Sequence, residues 1–516
     1  MNAKTLAGPL LLLGAFGFGL WRAVSLRWVG DDAFISFRYA FNLVHGQGLV
    51  YNAGERVEGY TNFLWTCIIA GGMKGGFDPV HFSWVLSIAS YAATVSVFAW
   101  LSWKLFRENR PKTDWFLPVT ALALLLHYDQ QVWATGGLET SFLTFLLASA
   151  FVVLVTAKQR RFYLLAGLLM TLAALTRPDA LIMYLAGTVG VLLQGKDIRA
   201  RVVFYLLPLL LVFAPYWLLR WDYYGYLFPN TYYAKSADQS YFVQGWRYLR
   251  IYVEAYPVLL LFPLAAVTGI GVVLRKRRDS SFFDSLAARS IILSLLMTAA
   301  YTLYIVKVGG DFMFARFFIP LTPLIFFSLE VTWLILAKRT RWHLIGALAM
   351  VALVLLRFDP FTDQQIVDGI ADEHRVYPRS KLEENRRTGE FLKRVFAGTD
   401  ARIGYYGTHA VLAFYSEAPY AIECETGLTD TVLAHQPTAE RGRIGHEKTA
   451  PLWYLLDRKV NFLFKSYLPD QYISDRMRLI QFGDYQAYIL TFQNSLMDHL
   501  ARFDGVKYGL SVEAGS

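Results

Sequence analysis

VGDDAFISFRYAFNLVHG, residues 29–46, follows the first long apolar run, so Asp31 and Asp32 stand where a membrane helix would leave the bilayer. Two carboxylates at that boundary are costly unless they face water, a cation or a substrate. Read as a helix at about 100° per residue, the segment has two stripes. Asp31, Arg38, Asn42 and His45 form a polar one; Ala33, Phe34, Phe37, Ala40, Phe41 and Val44 form an apolar one. The pattern predicts a helix lying in the interface, its aromatic side in lipid or protein and its acid–base side turned to a cavity. Asp31 shares its stripe with Arg38, which would keep it ionised, and Asp32 shares a face with Ser36 and Tyr39. The alternative is that one of the two acids caps the helix.

The surrounding composition is that of a membrane protein. Of 516 residues, 55% are hydrophobic and 17% charged, where a soluble protein carries about 25% charged residues. The aromatic share of 16% suits interfacial Trp and Tyr belts. The net charge of +10 comes from basic clusters between apolar runs, at 104–112, 158–161, 196–201, 275–278 and 338–341. That is the positive-inside pattern and argues against a nucleic-acid partner. The cysteines, Cys67 and Cys424, fit no metal or redox spacing. The run Leu6 to Leu26 lacks a small-residue cleavage site and is expected to be an uncleaved first helix.

Apolar runs long enough to span fall near 5–28, 80–106, 115–132, 138–157, 162–178, 180–194, 202–221, 249–274, 286–306, 316–336 and 342–357, about eleven transmembrane helices. The Gly-interrupted run 60–76 is expected to be re-entrant or interfacial, because counting it as a span would put the basic segment 104–112 on the wrong side. With that parity every basic segment lies inside and everything after Phe358 lies outside. The expected organisation is a transmembrane domain, 1–357, with a first outer loop at 29–60 that carries catalysis, and a soluble periplasmic cap, 358–516. In the cap, 372–387 reads as an exposed helical stretch, and 402–416, 460–468 and 485–492 read as strands or strand–helix units, enough for an α/β domain.

On this topology the outer loops gather polar residues: Glu55, Glu58, Tyr60 and Asn62; Gly136 to Glu139; Thr176 to Asp179; Asn230 to Lys235; and Lys307 to Arg316. Transfer of a sugar from a lipid-linked phosphate needs a carboxylate to take the acceptor proton or to stabilise developing positive charge. It also needs cations or hydroxyls to hold the departing phosphate. Asp31 and Asp32 are the catalytic candidates; Arg38, Lys235, Arg316 and His446 are candidates for the donor phosphate. Asn42, Glu58, Tyr60, Tyr232 and Asp311 are candidate substrate contacts, and Tyr51 and Tyr233 also suit a sugar ring or prenyl chain. An acidic dyad can hold a divalent cation, but no further ligands are spaced to show a metal site. HExxH, GxSxG and Walker A motifs do not occur.

These residues resemble the GT-C superfamily of polyprenyl-phosphate-dependent glycosyltransferases. Within it, DDAFISFRYAFNLVHGQGLVYNAGERVEGYTNFLW (31–65), GGLETSF (136–142), TRPDA (176–180), VGGDFMFARFFIP (308–320), ETGLTD (425–430) and GRIGHEK (442–448) are similar to the terminal β-(1→2)-arabinofuranosyltransferases of the mycobacterial cell wall and related bacterial arabinosyltransferases. The resemblance implies a GT-C fold in a bacterial inner membrane, with active site and cap on the periplasmic side. It implies a polyprenyl-phosphate sugar donor, D-arabinofuranose above all, and an envelope glycan or glycoprotein acceptor. It also implies catalysis near Asp31 and Asp32, as base, nucleophile or stabiliser of an oxocarbenium-like centre. Two other classes compete: a lipid-linked sugar transporter or flippase, which would place polar groups near the midplane of paired repeats, and a non-catalytic envelope or motor-associated membrane protein.

Overall fold

The computed structural model describes residues 3–109, 116–193, 197–275, 285–337, 339–407, 409–438, 441–464 and 478–511. Residues 110–112, 196, 276–278 and 338 of the basic segments, and 465–468 of the second expected strand, lie outside the described residues. Among the described helices, Pro79–Asn109, Ile198–Tyr224, Pro257–Arg275 and Leu286–Val308 are long and apolar enough to cross a membrane, and six shorter apolar helices accompany them. Helix α1 (Ala3–Ser25) leads into α2 (Asp31–Val44), as the stripe pattern predicts. The run at 60–76 forms the helix Phe63–Lys74, whose twelve residues reach only about 18 Å, short of the hydrocarbon thickness.

Two expected spans are broken. The run 115–132 divides at His127 into Val119–Leu126 and Tyr128–Trp133, because the His127 imidazole accepts the Gln130 N–H and starts a new helix. The run 249–274 divides at Tyr256: Pro257 has no N–H to continue the helix and keeps the residue before it extended. Hydropathy is blind to both events. The helix Ile198–Tyr224 widens into a π turn at Leu209–Phe213, directly after Pro208.

Beyond the helices lies an α/β region. A small hairpin, β1 (Ile366–Val367) and β2 (Ile370–Ala371), precedes the amphipathic helix Arg379–Phe396. The strands β3 (Arg402–Tyr405), β4 (Tyr420–Glu423), β5 (Phe462–Phe464), β6 (Arg478–Phe482), β7 (Tyr485–Ile489) and β8 (Val506–Ser511) form one sheet in the order β4-β3-β5-β7-β6-β8. β4, β3 and β5 run parallel, with Ile403 beside Ala421 and Phe462, and the other pairings are antiparallel. This region sits directly on α2: Phe34 packs on Phe414 and Tyr415 at ring separations of 5.6 and 5.7 Å. One buried apolar cluster runs through both parts.

Candidate active site

A cavity of about 920 Å³ opens beside α2. Its walls differ sharply in character. Its lining joins the charged side chains of Asp32, Arg177, Asp179, Lys235, Asp311 and Arg316 to an apolar arm with Leu185, Leu210, Phe213, Trp217 and Leu218. Leu185, Leu210 and Leu218 are 60%, 62% and 60% exposed on the outer surface of the bundle, so the arm opens sideways where lipid would lie. The π turn at Leu209–Phe213 contributes several of its residues.

The two acids of α2 part company here. Asp32 and Ser36 line the cavity, and the Asp32 carboxylate makes no hydrogen bond or ion pair within the described residues. Asp31 faces the opposite way. Its carboxylate accepts the backbone N–H groups of Val411 (3.0 Å) and Ala410 (3.1 Å), capping the helix Ala410–Tyr415. Burial pushes its pKa up to about 7 in spite of those two bonds. Neither acid caps α2, whose N-cap is Gly30. Of the expected stripe of Asp31, Arg38, Asn42 and His45, the first three are buried and His45 is exposed; Asp31 and Arg38 turn to the α/β region, Asn42 to the loop after α2, and none of the four lines the cavity. Arg38 therefore does not ionise Asp31: its guanidinium donates to the carbonyls of Ala413 and Ala418 (2.8 Å each) and Tyr51 (2.9 Å).

Behind the charged end runs a chain of alternating charges. Glu139 Oε1 accepts from Arg177 and Arg316, both at 3.0 Å, and Glu139 Oε2 accepts from Asn62 Nδ2 at 2.8 Å. Arg177 also grips Asp179 through Nε and Nη2, each at 3.0 Å, and Arg316 reaches Asp311 at 3.4 Å. Asp311 Oδ1 and Arg316 Nε are buried without a hydrogen-bond partner among the described residues. The Lys235 ammonium, 5.6 Å from the centre of the Phe312 ring, has no carboxylate partner within the described residues. Glu373 lies nearby, its carboxyl pushed up to about 8 by burial and then by the Asp32 charge.

Of the residues singled out in the sequence, Asp32, Tyr60, Tyr232, Lys235, Asp311 and Arg316 meet at this cavity. Asp31, Arg38, Asn42, Glu58 and His446 do not. Asn42 donates to the carbonyls of Val50 (2.8 Å) and Tyr51 (3.0 Å) and shapes the loop after α2. Glu58 is buried against Arg220 at 2.6 Å. His446 stands edge-on behind Phe312 at 4.8 Å, and burial with the neighbouring Arg443 charge lowers its pKa, which leaves it a poor cation for phosphate. The strings around it act as straps. Lys448 Nζ donates to Tyr233 O (2.6 Å) and Asn230 Nδ2 to Leu428 O (2.9 Å), pinning the loop that carries Tyr232 and Lys235. Arg177, Asp179, Asn62 and Glu139 also belong to the site, although the sequence places them in polar loops without a distinct role; an acid set just before an apolar run, as Glu139 and Asp179 are, is the available signal. Among the described residues no group of three or more His, Cys, Asp or Glu side chains is placed to hold a metal ion.

No protein-family model matches the chain. It is 28% identical over 336 residues to a terminal β-(1→2)-arabinofuranosyltransferase of Corynebacterium glutamicum, covering 60% of this chain and 48% of that protein. A protein of the same name from Mycobacterium tuberculosis is 28% identical over 335 residues, covering 60% of this chain and 52% of the relative. The chain spans about half the length of these relatives. Among solved structures, ArnT from Cupriavidus metallidurans, crystallised bound to undecaprenyl phosphate, matches with a TM-score of 0.54 at 11% identity, covering 96% of this chain and 100% of that one. The chain shares the fold of ArnT. The resemblance read from its sequence strings is thereby borne out, and the expected architecture holds in its coarse form: many apolar helices followed by a sheet-bearing C-terminal region, in the fold shared with ArnT.

Proposed function

We propose that this protein is an integral membrane glycosyltransferase that moves a sugar, D-arabinofuranose by analogy with the named relatives, from a polyprenyl-phosphate donor to an envelope glycan or glycoprotein. The reaction takes place on the periplasmic side of the bacterial inner membrane. The observation that carries the proposal is the continuity of the cavity. One cavity joins an apolar stretch that is exposed on the outside of the bundle to three cations and to a carboxylate with no hydrogen-bond or ion-pair partner among the described residues. That is the shape and charge a lipid-linked sugar phosphate requires. The names of the relatives and the undecaprenyl phosphate of ArnT support the same donor class.

In this reading the prenyl chain lies along Leu185, Leu210 and Trp217, and the phosphate sits toward Lys235 and Arg316. The bond between the anomeric carbon and the phosphate oxygen breaks, and the electron pair leaves with the phosphate. The acceptor hydroxyl oxygen forms the new bond. Asp32 is the carboxylate placed to receive that hydroxyl's proton or to stabilise positive charge at the anomeric carbon. Tyr60 and Tyr232 offer ring faces and hydroxyls to the sugar. The test is transfer of labelled arabinose from decaprenyl-phosphoryl arabinofuranose in membranes holding the wild type or Asp32→Asn. Loss of transfer in the variant, at wild-type protein level, supports the reading; full activity in the variant, or a wild type that transfers only hexose, overturns it.

A further inference from the structure

Glu139 is 1% exposed and is not itself in the cavity wall, yet its three polar partners, Arg177, Arg316 and Asn62, all are. A carboxylate only accepts hydrogen bonds, so each of the three must point a donor at it. The Asn62 amide is fixed by this: its Nδ2 turns to Glu139, and its Oδ1 accepts the Ser36 (3.0 Å) and Thr66 (3.1 Å) hydroxyls. Two guanidinium groups share one oxygen, an arrangement that like charges would not hold without the carboxylate between them.

The backbone places Glu139 with little freedom. Gly137 has φ +79°, and a Cβ there would lie 2.4 Å from Val29 Cγ2 and 2.9 Å from Ala33 Cβ. Its carbonyl accepts the Trp65 indole N–H at 3.2 Å, and the Gly136 carbonyl accepts the Gly30 N–H at 3.1 Å. The loop before Glu139 is thus pressed against the start of α2, the same turn that presents Asp32.

We infer that Glu139 is a positioning residue: it aims Arg177 and Arg316 at the phosphate of the lipid-linked donor and fixes them relative to Asp32. The inference rests on the donor class proposed above. It makes a prediction opposite in sign to that of simple charge. Glu139 lowers the positive charge of the site, so if charge were all that mattered, removing it would tighten the binding of a phosphate. If it aims the cations, removing it loosens binding.

The experiment measures undecaprenyl phosphate binding and melting temperature in detergent for the wild type, Glu139→Ala and Glu139→Gln. Glu139→Ala is expected to weaken binding by about tenfold or more, the usual result of freeing one member of a buried charge network. Glu139→Gln keeps one oxygen as an acceptor for both guanidiniums, while Asn62 can reverse its amide because its hydroxyl partners rotate. It is expected to fall between, about threefold weaker than wild type. Should Glu139→Ala fail to fold, the Glu139→Gln value decides alone. Variants that bind equally or more tightly than a binding wild type overturn the inference and leave the donor class standing, whether or not their melting temperature falls. A wild type that binds no undecaprenyl phosphate overturns the donor class and the inference together.

Discussion

Asp31 and Arg38, both on α2, hold opposite ends of one short helix 375 to 380 residues further along the chain. Asp31 takes the free N–H groups at the start of Ala410–Tyr415, and Arg38 donates to one carbonyl in its last turn, Ala413, and one just past its end, Ala418. The arrangement satisfies backbone groups that a helix leaves unpaired and matches the sign of its dipole. It also docks the α/β region onto the helix that carries Asp32. The twin aspartates thus divide their work: one faces the cavity and the other fastens the fold.

Alanine substitutions separate the two acids. Asp31→Ala strands two buried N–H groups and is expected to cost about 1–3 kcal/mol of stability, while transfer per folded molecule persists. Asp32→Ala is expected to melt like the wild type and to lose transfer by about a hundredfold or more, the usual weight of a positioned acid–base group. Thermal unfolding in detergent and the arabinose-transfer assay together read out the division; equal effects of the two variants would refute it.

Lys235 is the cation at the cavity with no carboxylate partner among the described residues. Lys235→Met is expected to raise the donor KM about tenfold, the worth of one charge-assisted contact to phosphate, with acceptor KM unchanged. Initial rates at varied donor concentration measure it.

Ala214 lines the apolar arm between Phe213 and Trp217. Ala214→Trp fills the arm and displaces about two methylenes of a bound chain, each worth about 0.8 kcal/mol. The KM for a long-chain prenyl donor should rise about tenfold, while a donor too short to enter the arm is affected far less. Comparing the two donors isolates the effect from any change at the charged end.

Three buried carboxyls each contribute stability that falls as pH rises. Burial raises the carboxyls of Asp31 and Glu423 to about 7 and of Glu373 to about 8. A folded-state pKa above the unfolded one means that the folded form is favoured by protonation. The stabilisation is complete below the ordinary carboxylate range and is lost progressively up to about pH 8. Buried His374, His409 and His446, whose pKa values are lowered, act in the opposite sense near neutrality, so the check is a difference: the melting temperature of Asp31→Asn, which cannot ionise, should rise relative to that of the wild type across this window.

Much of this site was legible in the chain. Asp32, Lys235, Asp311 and Arg316 are charges set beside long apolar runs, and the energetic cost of such placement singles them out. Glu58 and Arg38 gave the same signal for a different reason: Glu58 is matched by Arg220 and Arg38 by backbone carbonyls, partners too distant in sequence to anticipate. Glu139 and Arg177 were in view without a role, because a hub is recognised by the number of groups converging on it, and convergence is a property of three dimensions.

Hydropathy and helical period determined, from sequence alone, a bundle of apolar helices with charges collected at helix ends, a helix after the first run with Asp31, Arg38, Asn42 and His45 as its polar stripe, and a sheet-bearing region after the last apolar run. Those signals are local, so they set the angle between neighbouring side chains but not what lies across from them. Only the tertiary structure decided that Asp32 meets the cavity while Asp31 meets the helix Ala410–Tyr415. That choice depends on which buried polar groups, hundreds of residues away, are left needing a partner.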